Sequence, residues 1–418
     1  MATNTPSPWG PQRRPLLTLE QAWNCIARET GPLPTEKVAL SSALGRVLAE
    51  PILASVDQPD FAKAMMDGFA VRAADCAKPG VALNIVGIVT AGEAPPAPLK
   101  AGGAIRINTG APLPAGADAV IPIESVEIAD NQVRISNSVR SGMNVLRRGS
   151  HARHGDIILA PPVTIQAAQI ALLAANGDAT VEVYPAVSVG IVTTGNELVT
   201  AGQPRAPGHI FESNGPTLAA LARQFGASPD VVGIARDDEA ALREKFARAM
   251  RHPVVLAAGG MSMGTLDLVP KVVADLGVEW KFHGVQMRPG KPVAYGRGPN
   301  GQHVFGLPGN PVSVFVCAWL FVRMTIRGLQ GHACAPPTTW RATLTRALPA
   351  ARDTRPAYLP AHVWSDPEQG MLADPCGWGG SSDVFGAALG NALLVRTNPA
   401  EPHDAGDCVM VILTSTEF

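Results

Sequence analysis

The chain has 418 residues, enough for several domains and more than one buried core, so a single small module is excluded. Lys and Arg total 34 against 35 for Asp and Glu, and the formal net charge of -1 leaves no global field to attract nucleic acid or an anionic membrane surface. Hydrophobic residues make up 46% and charged ones 17%, with 42 Gly and 38 Pro, the composition of a globular protein rich in tight turns and Gly-lined loops.

Residues 1–15 are polar and Pro-rich with no apolar signal core, and are expected to form a disordered arm. Thr18 to Glu29 carries apolar residues at helical spacing behind a Thr-x-Glu start, and Gly31-Pro32 stops the run: a capped helix. A second short helix is expected over Leu40 to Leu48. Asn84 to Thr90, Ala104 to Asn108, Val120 to Ile128 and Gln132 to Ile135 are short β-leaning runs between Gly and Pro clusters, which predicts a β-rich domain. Val163 to Ala175 returns to an apolar helical pattern.

After Pro185 the period changes. Val187 to Val192 and Pro253 to Ala257 are continuous apolar runs that end in Gly-containing loops, with helices expected over Pro216 to Phe225 and Asp238 to Met250. His303 to Phe305, the loop Gly306 to Pro311 and a helix from Val312 to Arg327 repeat the unit. Strand, loop and helix in alternation predict a parallel sheet covered by helices on both faces, with ligands gathering at the loops after the strand C-termini. From Thr338 short strand-like runs return, reading as a small barrel or sandwich beyond a linker near Gly331 to Pro337.

Six cysteines lie without a CxxC pair or zinc-ligand spacing, which argues against disulfide staples or a structural metal and for a reducing, cytoplasmic compartment. No run approaches the roughly 20 apolar residues that a membrane span needs.

Three loops at expected strand ends place carboxylates and cations beside glycines, the pattern of an anion site with a divalent cation. Glu197, Asp237 or Asp238, and Asp267 are carboxylates suited to Mg²⁺, while Arg288 and Lys291 can neutralise a multiply charged anion. Gly309-Asn310-Pro311 sets a helix N-terminus near the same rim.

Six motifs then follow in order: Met66-Asp67-Gly68-Phe69-Ala70; Asn108 to Val120; Thr194-Gly195-Asn196-Glu197-Leu198; Gly259 to Gly264 with Asp267; Arg288 to Pro292; and Gly306 to Ser313. From Leu16 onward the chain resembles the molybdopterin molybdenumtransferases, MoeA and the C-terminal domain of gephyrin. The resemblance implies an α/β multidomain subunit. Residues 16–50 with 157–183 would form a discontinuous helical and linker domain, 51–156 a β-rich domain, 184–331 a MogA-like α/β domain that binds molybdopterin, and 336–418 a barrel-like domain. It implies a homodimer in which the α/β domain of one subunit faces the β-rich domain of the other. It also implies insertion of molybdate into adenylylated molybdopterin with release of AMP, and Mg²⁺ as the usual ion. A MogA-like adenylyltransferase and client molybdoenzymes are the implied partners, with no nucleic acid and no membrane.

By match to these motifs, Asp67, Thr109, Glu197 and Asp267 are catalytic, with Glu197 and Asp267 holding metal. Arg288, Lys291, Pro308, Pro311, Asp237, Arg147, Arg148, His151 and Ser382 bind substrate. The stretch Asn144 to His151 departs from the family pattern: Leu146 replaces a basic residue and His151 an aspartate. The departure supports an alternative function, a non-catalytic protein that binds or delivers molybdopterin or the finished cofactor to a client molybdoenzyme.

Overall fold

The computed structural model describes residues 15–94, 97–261, 268–377 and 379–415. The chain divides into two compact units: residues 1–36, 45–47 and 183–418 in one, 37–44 and 48–182 in the other.

The larger unit is built on a six-stranded sheet in the order Ser228–Ala235, Ser188–Thr194, Val254–Ala258, His303–Leu307, Ala294–Arg297, Glu279–His283. Its first four strands are parallel; Ala294–Arg297 pairs antiparallel with both its neighbours, so Glu279–His283 returns to the common direction. The central strands are apolar on both sides because both faces are covered. Val189, Ile191, Leu256 and Phe305 pack on the side of Asn214–Gln224 and the helical run from Pro311 to Leu329. Val192, Val255, Ala257 and Val304 pack against Glu239–Ala249 and Val269–Asp275 on the other. The run Pro311 to Leu329 contains a π-helical turn, Ala318–Val322; its 19 residues, with a mean hydropathy of 1.6, are long and apolar enough to cross a membrane by length and composition, but 83% of the most apolar stretch is buried inside this unit, as in a core helix. Leu19–Glu29 packs on the same core, its Trp23 indole donating to the Leu320 carbonyl at 3.0 Å. Thr18 caps that helix, and the box is completed by Gln21.

The tail of this unit is a closed five-stranded barrel of Trp340–Leu344, Gly370–Pro375, Ala357–Asp366, Ala392–Arg396 and Cys408–Leu413. The sheet and barrel are tied by the Arg288 loop: Arg288 donates its amide to Pro356 and accepts from the Tyr358 amide, both at 2.9 Å.

The second unit holds a six-stranded sheet in the order Ala119–Pro122, Gly68–Val71, Gly103–Ile107, Ala82–Val89, Gln132–Ile135, Val126–Ala129, over a core that includes Phe69, Leu83, Ile121 and Val133. Two short pairs, Lys63–Ala64 with Val145–Leu146 and Ile52–Leu53 with Ile157–Leu159, extend it.

Two expected helices differ in the structure. Leu40 to Leu48 is a single 3₁₀ turn, Leu40–Ser42, followed by the strand Val47–Leu48, because Gly45 takes a φ of +77° and ends any helix. Val163–Thr164 is a strand, and the helix begins only at Ala167, behind a Gln166 capping box with Gln169.

Candidate functional site

Two adjoining cavities lie at the C-terminal ends of the parallel strands, where ligands collect in open α/β sheets. The larger, about 1160 Å³, is built on the loops after Ser188–Thr194, Ser228–Ala235 and Val254–Ala258. Thr194 ends the first strand and is 5% exposed. Gly259 and Gly260, at φ +96° and +62°, pass so close to Thr194 that side chains on them would meet its carbonyl oxygen at 2.5 Å and the Val269 side chain at 2.6 Å. Only glycine admits this approach.

Glu197, Glu212 and Asp237 all line this cavity, and no Lys, Arg or His does among the described residues. The Glu197 carboxylate folds back over Gly195, where a Cβ would stand 2.7 Å from both its oxygens. Asp237 is clasped to the neighbouring loop: the Asn196 amide donates to its carboxylate and its own amide donates to the Asn196 side chain, each at 3.2 Å. Asp238 does separate work, capping Glu239–Ala249 by accepting from the Ala241 amide at 2.8 Å. Pro311 opens its helix at the first position and Ser382 lies on the same cavity wall. Asp267 lies outside the described residues. Among the described residues no cluster of three or more His, Cys, Asp or Glu groups suits a metal ion.

The smaller cavity, about 440 Å³, has the opposite charge. Arg288, Lys291 and Arg355 line it with no carboxylate among its described lining residues, and Pro308 and Ser382 complete the expected members. Arg355 is held by Asp353, with Nε 2.9 Å from the carboxylate, and this pairing brings the Asp353 pKa down to about 2. Arg288 and Lys291 are exposed and have no ion-pair partner among the described residues. Their loop rests on the Pro311–Cys317 helix, since a Cβ on Gly290 would meet the Cys317 sulfur at 2.6 Å. Asn310 and Ser382 belong to both cavities.

In the second unit, Asp67 and Thr109 are brought together: the Thr109 amide donates to the Asp67 carboxylate at 2.7 Å and the Asn108 side chain at 3.4 Å. The Thr109 amide is the main reason the Asp67 pKa sits below the usual carboxylate value. Arg148 is exposed and pairs with Asp57, which it meets at 2.8 Å. The same Asp57 carboxylate accepts from the His154 amide at 2.9 Å, and that amide is the largest cause of its lowered pKa. Arg147 and His151 are exposed, and the His151 amide donates to the Gln58 carbonyl at 2.8 Å. Asp118 stands just before the strand Ala119–Pro122 and accepts from the Ala73 amide at 2.7 Å, a long-range bond and not a turn contact.

Sequence reasoning missed Glu212, Asn214, Phe211 and Phe385 on the larger cavity. A signal for the first two was present: a carboxylate and an amide just ahead of a helix, after a Phe that closes a short strand. Phe385 comes from a five-residue helix in the barrel segment and carried no local pattern.

A family model for the MoeA N-terminal region, domains I and II, matches residues 17–177. A second, described as a probable molybdopterin binding domain, matches residues 190–328. A molybdopterin molybdenumtransferase from a Nostoc species is 39% identical over 318 residues, covering 74% of this chain and 73% of the relative. The protein of the same description from Staphylococcus epidermidis is 30% identical over 413 residues, 97% of each. The crystal structure of a molybdopterin biosynthesis MoeA protein from Pyrococcus horikoshii superposes with a TM-score of 0.82 at 32% identity, over 96% of this chain and all of that one. Two family models that together span most of the chain, and relatives at this identity over most of their length, establish that the chain belongs to the molybdopterin molybdenumtransferase family, that of MoeA.

Proposed function

We propose that the protein is a transferase of molybdenum cofactor biosynthesis that inserts molybdate into adenylylated molybdopterin and releases AMP. One observation carries this reading: two adjoining cavities of opposite charge, one with three carboxylates and no cation among its described lining residues, the other with three cations and no carboxylate. The substrates divide in the same way. Molybdate and the phosphate linkage are anions that need Arg288 and Lys291, whereas the pterin ring is neutral and rich in N–H donors that suit carboxylates.

Arg288 and Lys291 hold the oxyanion against the substrate, so that the reacting groups meet in one fixed geometry instead of by diffusion. Ser382 and Asn310, present in both cavities, offer polar atoms where a bridging substrate crosses. Asp67, whose pKa is held below the usual carboxylate value chiefly by the Thr109 amide, serves to orient the incoming molybdate. Mg²⁺, which prefers hard oxygen ligands, is the ion that the family resemblance implies, and Glu197 with Asp267 would hold it, although the described residues alone form no metal cluster. When bound, that ion neutralises phosphate charge. We also propose that the working form is a homodimer.

The test is AMP release from adenylylated molybdopterin by the purified protein, with and without molybdate and Mg²⁺, beside a His151→Asp variant. Release that depends on both ions is expected. Tight binding of the substrate without release, recovered in His151→Asp, would replace the enzyme reading with that of a carrier.

A further inference from the structure

Glu212 is the most buried of the three carboxylates on the larger cavity, and the family motifs give it no role. It stands between the strand Ile210–Phe211 and the helix Asn214–Gln224. Its Oε1 accepts from the Gly215 amide at 2.6 Å, and the Asn214 amide also bonds to it. Burial raises its pKa in spite of those two amides. A carboxylate offers about four acceptor positions, so two remain for a ligand.

The neighbouring groups point to the kind of ligand. Asn214 is 9% exposed; its Nδ2 donates to the Gly309 carbonyl at 2.8 Å, and its Oδ1 has no partner among the described residues. Phe211 and Phe385, 47% and 82% exposed, line the same cavity, and the Arg205 guanidinium covers one face of the Phe211 ring, 5.3 Å from its centroid. Asp383 fixes Phe385 by capping its short helix, accepting from the Phe385 and Gly386 amides at 3.1 Å. A half-buried carboxylate with acceptor positions to spare, two aromatic side chains and no cation among the cavity's described lining residues complement a flat heteroaromatic ring with adjacent N–H donors.

Of the groups on the proposed substrate, only one has that edge. The 2-amino-4-oxopyrimidine half of a pterin presents N3–H and the 2-amino group side by side. The adenine edge alternates acceptor and donor, and an ionised phosphate offers a carboxylate no donor. We propose that Glu212 is the specificity-determining residue of the cavity, its carboxylate accepting the N3–H and 2-amino donors of the pterin while the ring stacks on Phe211 and Phe385. The proposal rests on the reading of this cavity as the molybdopterin site.

The test measures binding of free pterin, of lumazine (its 2-oxo analogue) and of AMP to the wild-type protein and to Glu212→Gln. The Gln variant keeps an oxygen for the Gly215 amide, so the helix start is preserved. Wild type is expected to prefer pterin over lumazine by at least about tenfold, the scale of a charge-assisted pair against its loss. Glu212→Gln should lose about tenfold in pterin affinity and most of the preference, with AMP affinity unchanged. Unchanged pterin affinity in Glu212→Gln, where Phe385→Ala weakens it, would overturn the role of Glu212 and leave the cavity reading standing. No pterin binding by wild type, or binding indifferent to both Glu212→Gln and Phe385→Ala, would remove the cavity reading and the proposal together.

Discussion

Gly68, next to Asp67, allows a quantitative test of how the β-rich unit holds its carboxylate. It sits in a strand flanked on both sides, opposite Ile107 on one neighbour and Pro122 on the other. A methyl group there would overlap the carbonyl oxygen of Ile121 and stand 2.8 Å from its carbonyl carbon and 3.0 Å from the Pro122 Cα. Carbon atoms in contact prefer about 3.5 to 4.0 Å, so Gly68→Ala must drive the strands about 1 Å apart. The neighbouring bond from the Ile123 amide to the Asp67 carbonyl, now 3.1 Å, would then stretch beyond hydrogen-bonding range. One or two lost bonds at about 1 kcal/mol each, with about 1 to 3 kcal/mol of overpacking, give a destabilisation of roughly 2 to 5 kcal/mol. Gly110→Ala is the control: at φ +81° it has nothing within 4 Å, so only backbone strain of about 1 to 2 kcal/mol applies. Urea unfolding followed by far-UV circular dichroism compares the two variants with wild type. A Gly68→Ala cost no larger than that of Gly110→Ala would refute the close-approach argument.

Two further predictions concern charge. His303, 1% exposed, has its pKa brought to about 3, chiefly by burial and secondarily by Arg297, while its Nδ1 lies 2.9 Å from the Tyr295 hydroxyl. Because the folded value lies below the unfolded value near 6.5, its contribution to stability is complete above pH 6.5 and declines as pH falls toward 3, by at most about 1.4 kcal/mol per pH unit. The double variant His303→Phe with Tyr295→Phe should flatten that part of the stability profile, and an unchanged slope would assign it to other groups. Asn196→Asp keeps both bonds of the clasp but adds a carboxylate beside Asp237, on a cavity with no lining cation among the described residues. Like charges a few ångströms apart at an exposed rim cost about 1 kcal/mol, so Tm should fall at low salt, recover as salt screens the pair, and recover also on titration with Mg²⁺. A Tm that does not change at low salt would show that the clasp carries no electrostatic load.

The parallel half of the sheet was legible because a strand covered on both faces must be apolar throughout, as Val187 to Val192 and Pro253 to Ala257 are. Its edge strand Ser228–Ala235 was not, since Pro229 and Asp230 interrupt the run; an edge tolerates both because one side of its ladder is unpaired. The longest barrel strand, Ala357–Asp366, was hidden for a similar reason, having Pro360 in its middle, where that carbonyl still accepts from the Cys376 amide at 2.9 Å. The antiparallel pair Glu279–His283 and Ala294–Arg297 is too short and too mixed in polarity to announce itself. At the site, motif residues were legible because their loops carry glycines at fixed places. Asp237 and Asp238 had equal claims in the sequence, and only the structure separates the clasp from the cap. Phe385 became a cavity residue through the return of the barrel segment to the sheet, which no local pattern encodes.

The wall between the two cavities explains why the prolines of Gly306 to Pro311 matter without a functional group to offer. Asn214 holds this loop from the acidic side, through the Gly309 carbonyl. From the other side Ser381 receives the Asn310 side chain on its hydroxyl at 2.8 Å and the Val312 amide on its carbonyl at 3.0 Å. Pro308 is buried and Pro311 takes the first helical position, where a missing N–H costs nothing and the fixed φ suits the helix. Both prolines therefore stiffen a partition already pinned on two faces, and the separation of charge depends on that partition staying in place. Carboxylates and guanidinium groups in one undivided chamber would pair with each other, as Asp353 and Arg355 do, and neither set would be free for substrate. The departures at Leu146 and His151 lie in the other unit and touch none of these contacts.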